Sequence, residues 1–134
     1  MLLGLASAVA FAGGTPAAAQ GAAVAGVQAA PDAADITPQQ IALGDSIFHG
    51  RKGGALCYSC HGPAAKGVNG LGPNLTDGEW LHGDGGLAFI AGIVEQGIAK
   101  PKKAAAPMPP KGGGQLNAAQ IRAAAAYVYS LSHK

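Results

Sequence analysis

Apolar side chains recur at helical spacing in three segments of the chain. Thr37 opens the first segment as an N-cap, with Pro38 at the first helical position and Gln40 three residues after the cap, which is a capping-box start. One stripe of the segment consists of Ile41, Gly44, Ile47 and Phe48. The pattern predicts a helix from Thr37 to about His49, in which Gly44 permits a close crossing with another helix.

Two further helices follow the same period. The second is predicted from about Gly86 to Gln96, with Gly97 as a left-handed stop. The third begins at Asn117, whose side chain can cap it, and runs to about Ser132. Residues 99–114 contain four prolines and three consecutive glycines, so neither helix nor strand is predicted there. No segment alternates apolar and polar residues, and the predicted fold is all-α, with three main helices and long loops.

The N-terminal segment has the pattern of an export signal. Residues 2–12 form an apolar run that is shorter than the roughly 20 residues needed to span a bilayer. Ala17 and Ala19 offer a small-residue cleavage site before Gln20, although no Lys or Arg precedes the run. We expect a signal peptide at 1–19, a flexible tether at 20–36 and a folded domain at 37–134 in the periplasm or another extracytoplasmic space. An uncleaved N-terminus would instead be a membrane anchor.

Composition limits the possible partners and the size of the core. The net charge is +2 and no basic stripe is interleaved with aromatic residues, which argues against nucleic-acid binding. The predicted domain of about one hundred residues is small for an apolar core, so a large buried cofactor would help to stabilise it. Four lysines cluster in one loop region, and they form either a solvated loop or a docking surface for an acidic redox partner. They are Lys100, Lys102, Lys103 and Lys111.

The chemistry is carried by the sequence Cys57-Tyr58-Ser59-Cys60-His61. This C-x-x-C-H pattern is the attachment signature of c-type haem. Two thiols separated by two residues in a helical turn face one side, where each can reach a vinyl group of the same porphyrin edge. The adjacent His61 can then place its imidazole on the iron. The motif therefore predicts one covalently attached haem c, with its iron, per chain.

Two cysteines at this spacing also fit other chemistry. A thioredoxin-like redox pair needs a βαβ context, which the helical pattern does not provide. A structural zinc site usually needs four Cys or His ligands, and the chain has only two cysteines. A disulfide between Cys57 and Cys60 remains open for an exported protein. The complete motif with His61, together with the expected export, favours haem.

The second axial ligand of the iron is predicted to be Met108. Met1 lies in the expected signal, so Met108 is the one internal methionine. Prolines on both sides stiffen the loop and direct the thioether at low entropic cost. A methionine that only fills a gap in the core is the alternative interpretation. Three histidines could instead provide a bis-histidine haem, and each is more typical of a surface residue: His49, His82 and His133.

These residues resemble class I cytochromes c over about residues 39–134. The resemblance includes the spacing Gly44-x-x-x-Phe48 in the first helix and the loop sequence Gly72-Pro73-Asn74-Leu75. It implies that Pro73 and Leu75 contribute to the haem site, with the carbonyl of Pro73 accepting a hydrogen bond from Nδ1 of His61. Such a bond fixes the tautomer and leaves Nε2 for iron.

Within that class, the sequence is most similar to bacterial haem domains. Trp80 is then expected at the haem, where its indole N–H donates to a propionate or its ring simply covers the haem edge. Tyr127 is implied to pack against the first helix. One departure is the eight-residue segment 49–56 before Cys57, which is longer than in compact members of the family. Within it, the stretch Arg51-Lys52-Gly53-Gly54 is expected to bulge into solvent.

The resemblance implies a single-electron carrier rather than an enzyme. With His61 and Met108 on the iron, no position would remain open for a substrate, and protein donors and acceptors of electrons would be the partners. A haem peroxidase or ligand sensor would need an open sixth position. The haem domain of a larger oxidase or dehydrogenase complex, associated with the membrane, would share the carrier's chemistry and differ in its partner.

Overall fold

A computed structural model describes residues 33–134 of the chain. Its four α-helices are α1 at Pro38–Phe48, α2 at Cys57–His61, α3 at Leu87–Gln96 and α4 at Ala118–Ser132. Two 3-10 helices lie at Ala33–Asp35 and Pro110–Gly113. The predicted signal peptide and all but the last four residues of the predicted tether fall outside the described residues. Within 33–134 no helix is long and apolar enough to cross a membrane.

The predicted helix starts are confirmed by their capping hydrogen bonds. In α1, the hydroxyl of Thr37 accepts the backbone N–H of Gln40 at 3.2 Å, and the Gln40 side chain accepts the N–H of Thr37 at 2.8 Å. The same reciprocal pair joins Asn117 and Gln120 at the start of α4, with both distances 2.9 Å. These bonds satisfy backbone donors that a helix start would otherwise leave unpaired.

The core forms where α1 crosses α4 and α3 packs beside them. Small residues at positions 123–126 of α4 are almost wholly buried, and they let α1 approach closely. A Cβ added at Gly44 would lie 2.0 Å from the carbonyl oxygen of Ala123 and 2.6 Å from Cβ of Tyr127. Tyr127 also packs its ring against Phe48, with centroids 5.4 Å apart. The glycine therefore sets the distance between the two helices.

The loop segments agree with the sequence in part. Residues 99–114 contain a short 3-10 helix at Pro110–Gly113, although Lys111 and Gly112 within it have left-handed rather than helical backbone angles. Of residues 51–54, which are expected to bulge into solvent, Arg51, Lys52 and Gly54 are exposed, and Arg51 pairs with Asp45. Gly53 is partly buried, and Ala55, which follows this stretch, has no exposed surface.

Candidate haem site

The short helix α2 carries the three residues of the attachment motif. It begins after Leu56, whose carbonyl accepts a hydrogen bond from the hydroxyl of Ser59 at 2.6 Å. Residues three apart lie on the same face of a helix, so Cys57 and Cys60 face one side together. Both are free thiols, and both line the same cavity as His61.

The environment of Cys57 differs from that of a redox-active thiol. Burial raises its pKa, and the neighbouring Cys60 adds to the increase. Reactive cysteines of redox pairs have a lowered pKa and a stabilised thiolate. The free thiols also differ from the disulfide that the sequence left open. A thiol held neutral inside an apolar cavity fits thioether formation better than thiol–disulfide exchange.

His61 is held in one tautomer by the loop that follows α2. Its ring is 8 % exposed, and its Nδ1 lies 3.0 Å from the carbonyl oxygen of Pro73. Because a carbonyl only accepts, this bond places the proton on Nδ1 and leaves the lone pair of Nε2 free. Burial lowers the pKa of His61, while the bond to Pro73 acts in the opposite direction. The neutral imidazole needed by an iron ligand is therefore the favoured form.

The loop carrying Pro73 packs tightly behind the imidazole. A Cβ at Gly72 would lie 2.7 Å from the carbonyl oxygen of Cys60 and 3.3 Å from Nδ1 of His61, so the backbone can approach only without a side chain. The loop returns to the core where the N–H of Leu75 donates to the carbonyl of Ala65 at 2.8 Å. These contacts fix the position of the Pro73 carbonyl relative to the imidazole.

Met108 is fixed through its backbone. Its N–H and carbonyl both pair with Ile98, each at 2.9 Å, so the loop after α3 closes on itself at the methionine. A Cβ at Gly97 would lie 2.3 Å from the Met108 carbonyl oxygen. The side chain of Met108 lines the cavity that contains Cys57 and His61.

The residues around this cavity fit a haem. It has a volume of about 230 Å³ and brings two thiols, one imidazole and one thioether together within an apolar wall. A cavity of about 40 Å³ adjoins it through the shared wall residues Leu71 and Met108, and a third cavity of about 60 Å³ adjoins the second in the same way. Thiols attach haem c, and imidazole with thioether is the axial pair of cytochromes c. The donor set and its apolar surroundings therefore suit one haem c.

A larger groove nearby has a different character. Its volume is about 370 Å³, and charged residues stand along its wall: Lys66, Asp77, Glu79 and Lys103. Neither thiol, His61 nor Met108 borders it. An apolar macrocycle needs the apolar cavity, so size alone does not identify the site.

The three alternative histidines occupy different places. Both ring nitrogens of His49 face carbonyls, with Nδ1 2.9 Å from that of Asp45 and Nε2 2.8 Å from that of Pro63. His133 stacks on Tyr129 at the end of α4, with ring centroids 3.8 Å apart. His82 lines both of the small adjoining cavities, one of which Met108 also borders. Of the three, His82 is thus the histidine beside the candidate site.

Trp80 and Leu75 border the outermost of the adjoining cavities rather than the thiol cavity. The indole of Trp80 meets the ring of Phe89 edge to face, with centroids 6.3 Å apart and planes at 87°. Its Nε1 lies over Gly85, where an added Cβ would be 2.2 Å away. We call the three connected cavities the apolar band. Trp80 and Leu75 lie together at one end of this band, and the thiols of Cys57 and Cys60 lie at the other.

The predicted docking lysines are not equivalent. Lys102 and Lys103 border the small cavity that Met108 also lines. The ammonium group of Lys103 donates to the carboxylate of Glu79 at 2.7 Å, and this bond lowers the pKa of Glu79. Lys100 is exposed after α3, and Lys111 is half-buried beside Gly112. The pairing with Glu79 offsets the charge of Lys103 in part, which distinguishes it from Lys102.

Three further residues line the thiol cavity that the sequence did not single out. Leu56 is 53 % exposed and Leu71 is 44 % exposed, and both stand at the cavity wall. Gly112 is buried against Cys57. Leu56 could have been found because it immediately precedes the motif. The place of Gly112 depends on a contact between distant segments, which no local pattern reveals.

The helical fold and the thiol–imidazole motif together define a class I c-type cytochrome. Cytochrome c oxidase, cbb3-type, subunit III is the family whose model matches residues 54–128, and the chain belongs to that family. The protein therefore carries covalent haem c with its iron and takes part in electron transfer.

Curated relatives share this region. The cbb3-type cytochrome c oxidase subunit CcoP of Rhodobacter capsulatus is 42 % identical over 76 residues, covering 56 % of this chain and 25 % of the relative. The subunit FixP of Sinorhizobium medicae is 56 % identical over 36 residues, covering 26 % of this chain and 12 % of the relative. The chain spans at most a quarter of the length of these relatives.

Among solved structures, cytochrome cL of Methylophaga aminisulfidivorans shares the fold. Its TM-score is 0.53 at 24 % identity, and the match covers 71 % of this chain and 55 % of that chain.

Proposed function

We propose that this chain is a single-electron carrier domain, not itself an enzyme, whose haem is attached to Cys57 and Cys60 and ligated by His61 and Met108. One observation carries the proposal: these four side chains, three of them from α2, line a single apolar cavity. When bound, haem supplies an iron that changes its charge by one electron. The chain's own residues hold the cofactor, exclude water and set its electronic surroundings.

Each residue has a separate task in this proposal. The Pro73 carbonyl orients His61 and increases the basicity of Nε2, as hydrogen-bonded partners of ligating imidazoles do. Met108 would supply the second ligand of the iron, and a thioether ligand raises the reduction potential. Leu75 and Trp80 cover the far end of the apolar band. With both axial positions taken by the protein, no substrate could reach the iron.

The first test concerns the covalent attachment of haem, and the second concerns the ligands of the iron. Acidic acetone should leave haem with the denatured protein. Ferric wild-type protein should show the weak near-infrared band of sulfur bound to low-spin haem. Met108→Ala should lose this band, lower the potential and admit carbon monoxide, while His82→Ala should retain it. If Met108→Ala keeps the wild-type spectrum and His82→Ala changes it, His82 is the ligand.

We further propose that the domain exchanges electrons within or beside a membrane oxidase complex on the outer side of the cytoplasmic membrane. Support comes from the relatives, which are subunits of cbb3-type oxidases. Membranes from the source cells, solubilised in mild detergent, should show haem-stained chain comigrating with oxidase activity on a native gel. Recovery of the chain alone in the periplasmic fraction would instead identify a free carrier.

For partner docking, we propose a surface centred on Lys102, with Lys100 and Lys111 beside it and Lys103 paired to Glu79. Charges at the rim of an interface act mainly on association rate and salt dependence. Lys102→Glu should slow electron transfer to anionic hexacyanoferrate and speed transfer to a cationic cobalt complex. Lys134→Glu changes the net charge equally but lies beyond the end of α4, so it is the control. Equal effects of Lys102→Glu and Lys134→Glu on these rates would contradict the proposed docking surface.

A further inference from the structure

Two segments that are distant in sequence meet beside the attachment motif. The N–H of Leu56 donates to the carbonyl of Gly112 at 3.0 Å, and the N–H of Gln115 donates to the carbonyl of Gly53 at 2.8 Å. We call residues 53–56 and 112–115, joined by these bonds, the clamp. One side of the clamp leads directly into Cys57, and the other follows Met108 by four residues. The clamp thus connects the two parts of the chain that line the thiol cavity on either side of it in sequence, before Cys57 and after Met108.

Gly112 is the residue of the clamp that lies against the thiol of Cys57. A Cβ at this position would lie 3.0 Å from Sγ of Cys57 and 3.3 Å from Cβ of Ala55. Apolar atoms pack best at about 3.5–4.0 Å, so an added methyl group would push the segments apart. Gly112 is also buried, which leaves that methyl group no route into solvent.

We propose that Gly112 is a positioning residue that sets the distance between the Met108 loop and the thiol of Cys57. Displacement at Gly112 reaches Met108 because Pro109 and Pro110 have fixed φ angles and transmit motion along a stiff connection. This inference rests on the proposed ligation by Met108. In this proposal the clamp keeps the thioether of Met108 within reach of the iron after Cys57 and Cys60 have been attached to the haem.

Gly54, on the other side of the clamp, provides a matched control. Gly112 has a φ of +60° and Gly54 a φ of +67°, so alanine at either position carries the strain of a left-handed backbone. They differ in space: among residues 33–134, nothing lies within 4 Å of a Cβ at Gly54, and Gly54 does not line the thiol cavity. Comparison of Gly112→Ala with Gly54→Ala therefore removes backbone strain from the result and leaves the contacts made at Gly112.

The experiment uses ferric holoprotein and imidazole as a competing ligand. Imidazole binds iron only when Met108 has left, so its affinity reports the opening of that bond. We expect Gly112→Ala to bind imidazole about tenfold more tightly than Gly54→Ala, a ratio that corresponds to about 1.4 kcal/mol. The near-infrared sulfur band should weaken and the potential should fall in Gly112→Ala alone. Neither readout follows from a general loss of stability, which urea unfolding measures separately.

Each outcome bears on a different claim. Equal imidazole affinity, potential and band in the two variants would overturn the positioning role. A missing sulfur band in wild type would contradict Met108 ligation instead. If Gly112→Ala does not mature, Gly114→Ala replaces it, because the nearest atoms to its Cβ are backbone atoms of residues 53–55, with the carbonyl oxygen of Gly53 at 2.4 Å, so it presses the clamp apart at another point. Wild-type imidazole affinity in Gly114→Ala would then overturn the proposal.

Discussion

Replacing Gly44 by alanine tests how tightly α1 and α4 cross. In an isolated helix, this change stabilises by about 0.8–1.0 kcal/mol, because glycine has more backbone freedom to lose. In this fold the new Cβ would lie 2.0 Å from the Ala123 carbonyl oxygen and 2.6 Å from Cβ of Tyr127. The atoms in contact are helix backbone and the base of a side chain, and neither can swing away.

The helices must therefore separate by about 1 Å or more, and a gap of that size forfeits a quarter to a half of the dispersion energy of each contact. Overpacking of a core typically costs about 1–3 kcal/mol, and the distance at Gly44 places it at the upper end. Subtracting the gain in helix propensity leaves a net loss of about 2 kcal/mol. Gly92, in the middle of α3, is the matched control, since no described residue comes within 4 Å of its added Cβ.

Urea unfolding of the two holoprotein variants, followed by far-ultraviolet circular dichroism, measures the difference. With a slope of about 1–3 kcal/mol/M, Gly44→Ala should unfold at about 1 M less urea than wild type. Gly92→Ala should be stabilised by about 0.5–1 kcal/mol. Equal increases in the urea midpoint of Gly44→Ala and Gly92→Ala would refute the close crossing of α1 and α4, because helix propensity alone would then account for both.

Three further sets of substitutions test His49, Trp80 and the two cysteines. The carbonyl of Pro63 is the main cause of the raised pKa of His49 in the folded protein. The contribution of His49 to the free energy of unfolding is therefore complete below its ordinary pKa of 6.5, and it is lost as the pH rises through the pKa of the folded state. His49→Gln should therefore lower the urea midpoint at pH 5 and much less at pH 9. Trp80→Phe should keep the absorption spectrum but shift the reduction potential if the indole N–H donates to a haem propionate. An unchanged potential would show that the ring of Trp80 only covers the haem edge. Alanine at both Cys57 and Cys60 should give a haem-free chain with little far-ultraviolet helical signal, and a cooperative thermal transition would contradict this.

Local chemistry explains why the helices were predictable. The caps at Thr37 and Asn117 act within one turn, so the residues that form them are adjacent in the sequence as well as in space. The attachment motif is local for the same reason, because its two thiols and one imidazole lie on a single turn. In each case the contact that matters spans at most five residues, and a short pattern contains all of it.

The two sides of the candidate site required more than a local pattern. Met108 was predicted by elimination among methionines, yet its position depends on a backbone pair with Ile98, ten residues earlier. The Pro73 carbonyl could be assigned only through resemblance to a family, since every residue has a carbonyl and sequence does not show which one faces His61. Pairing of Lys103 with Glu79 spans 24 residues and was likewise invisible.

The segment before Cys57 shows what sequence reasoning could not resolve and why. Arg51, Lys52 and two glycines are typical of a solvated loop, and the charged half of the segment is indeed exposed. The glycines have another use, because a Cβ at Gly53 would lie 2.3 Å from the side chain of Leu116. A residue without a side chain serves equally well in a free turn and in a tight contact, so glycine content alone cannot distinguish them. Only the partner segment decides, and here it is the segment that follows Met108.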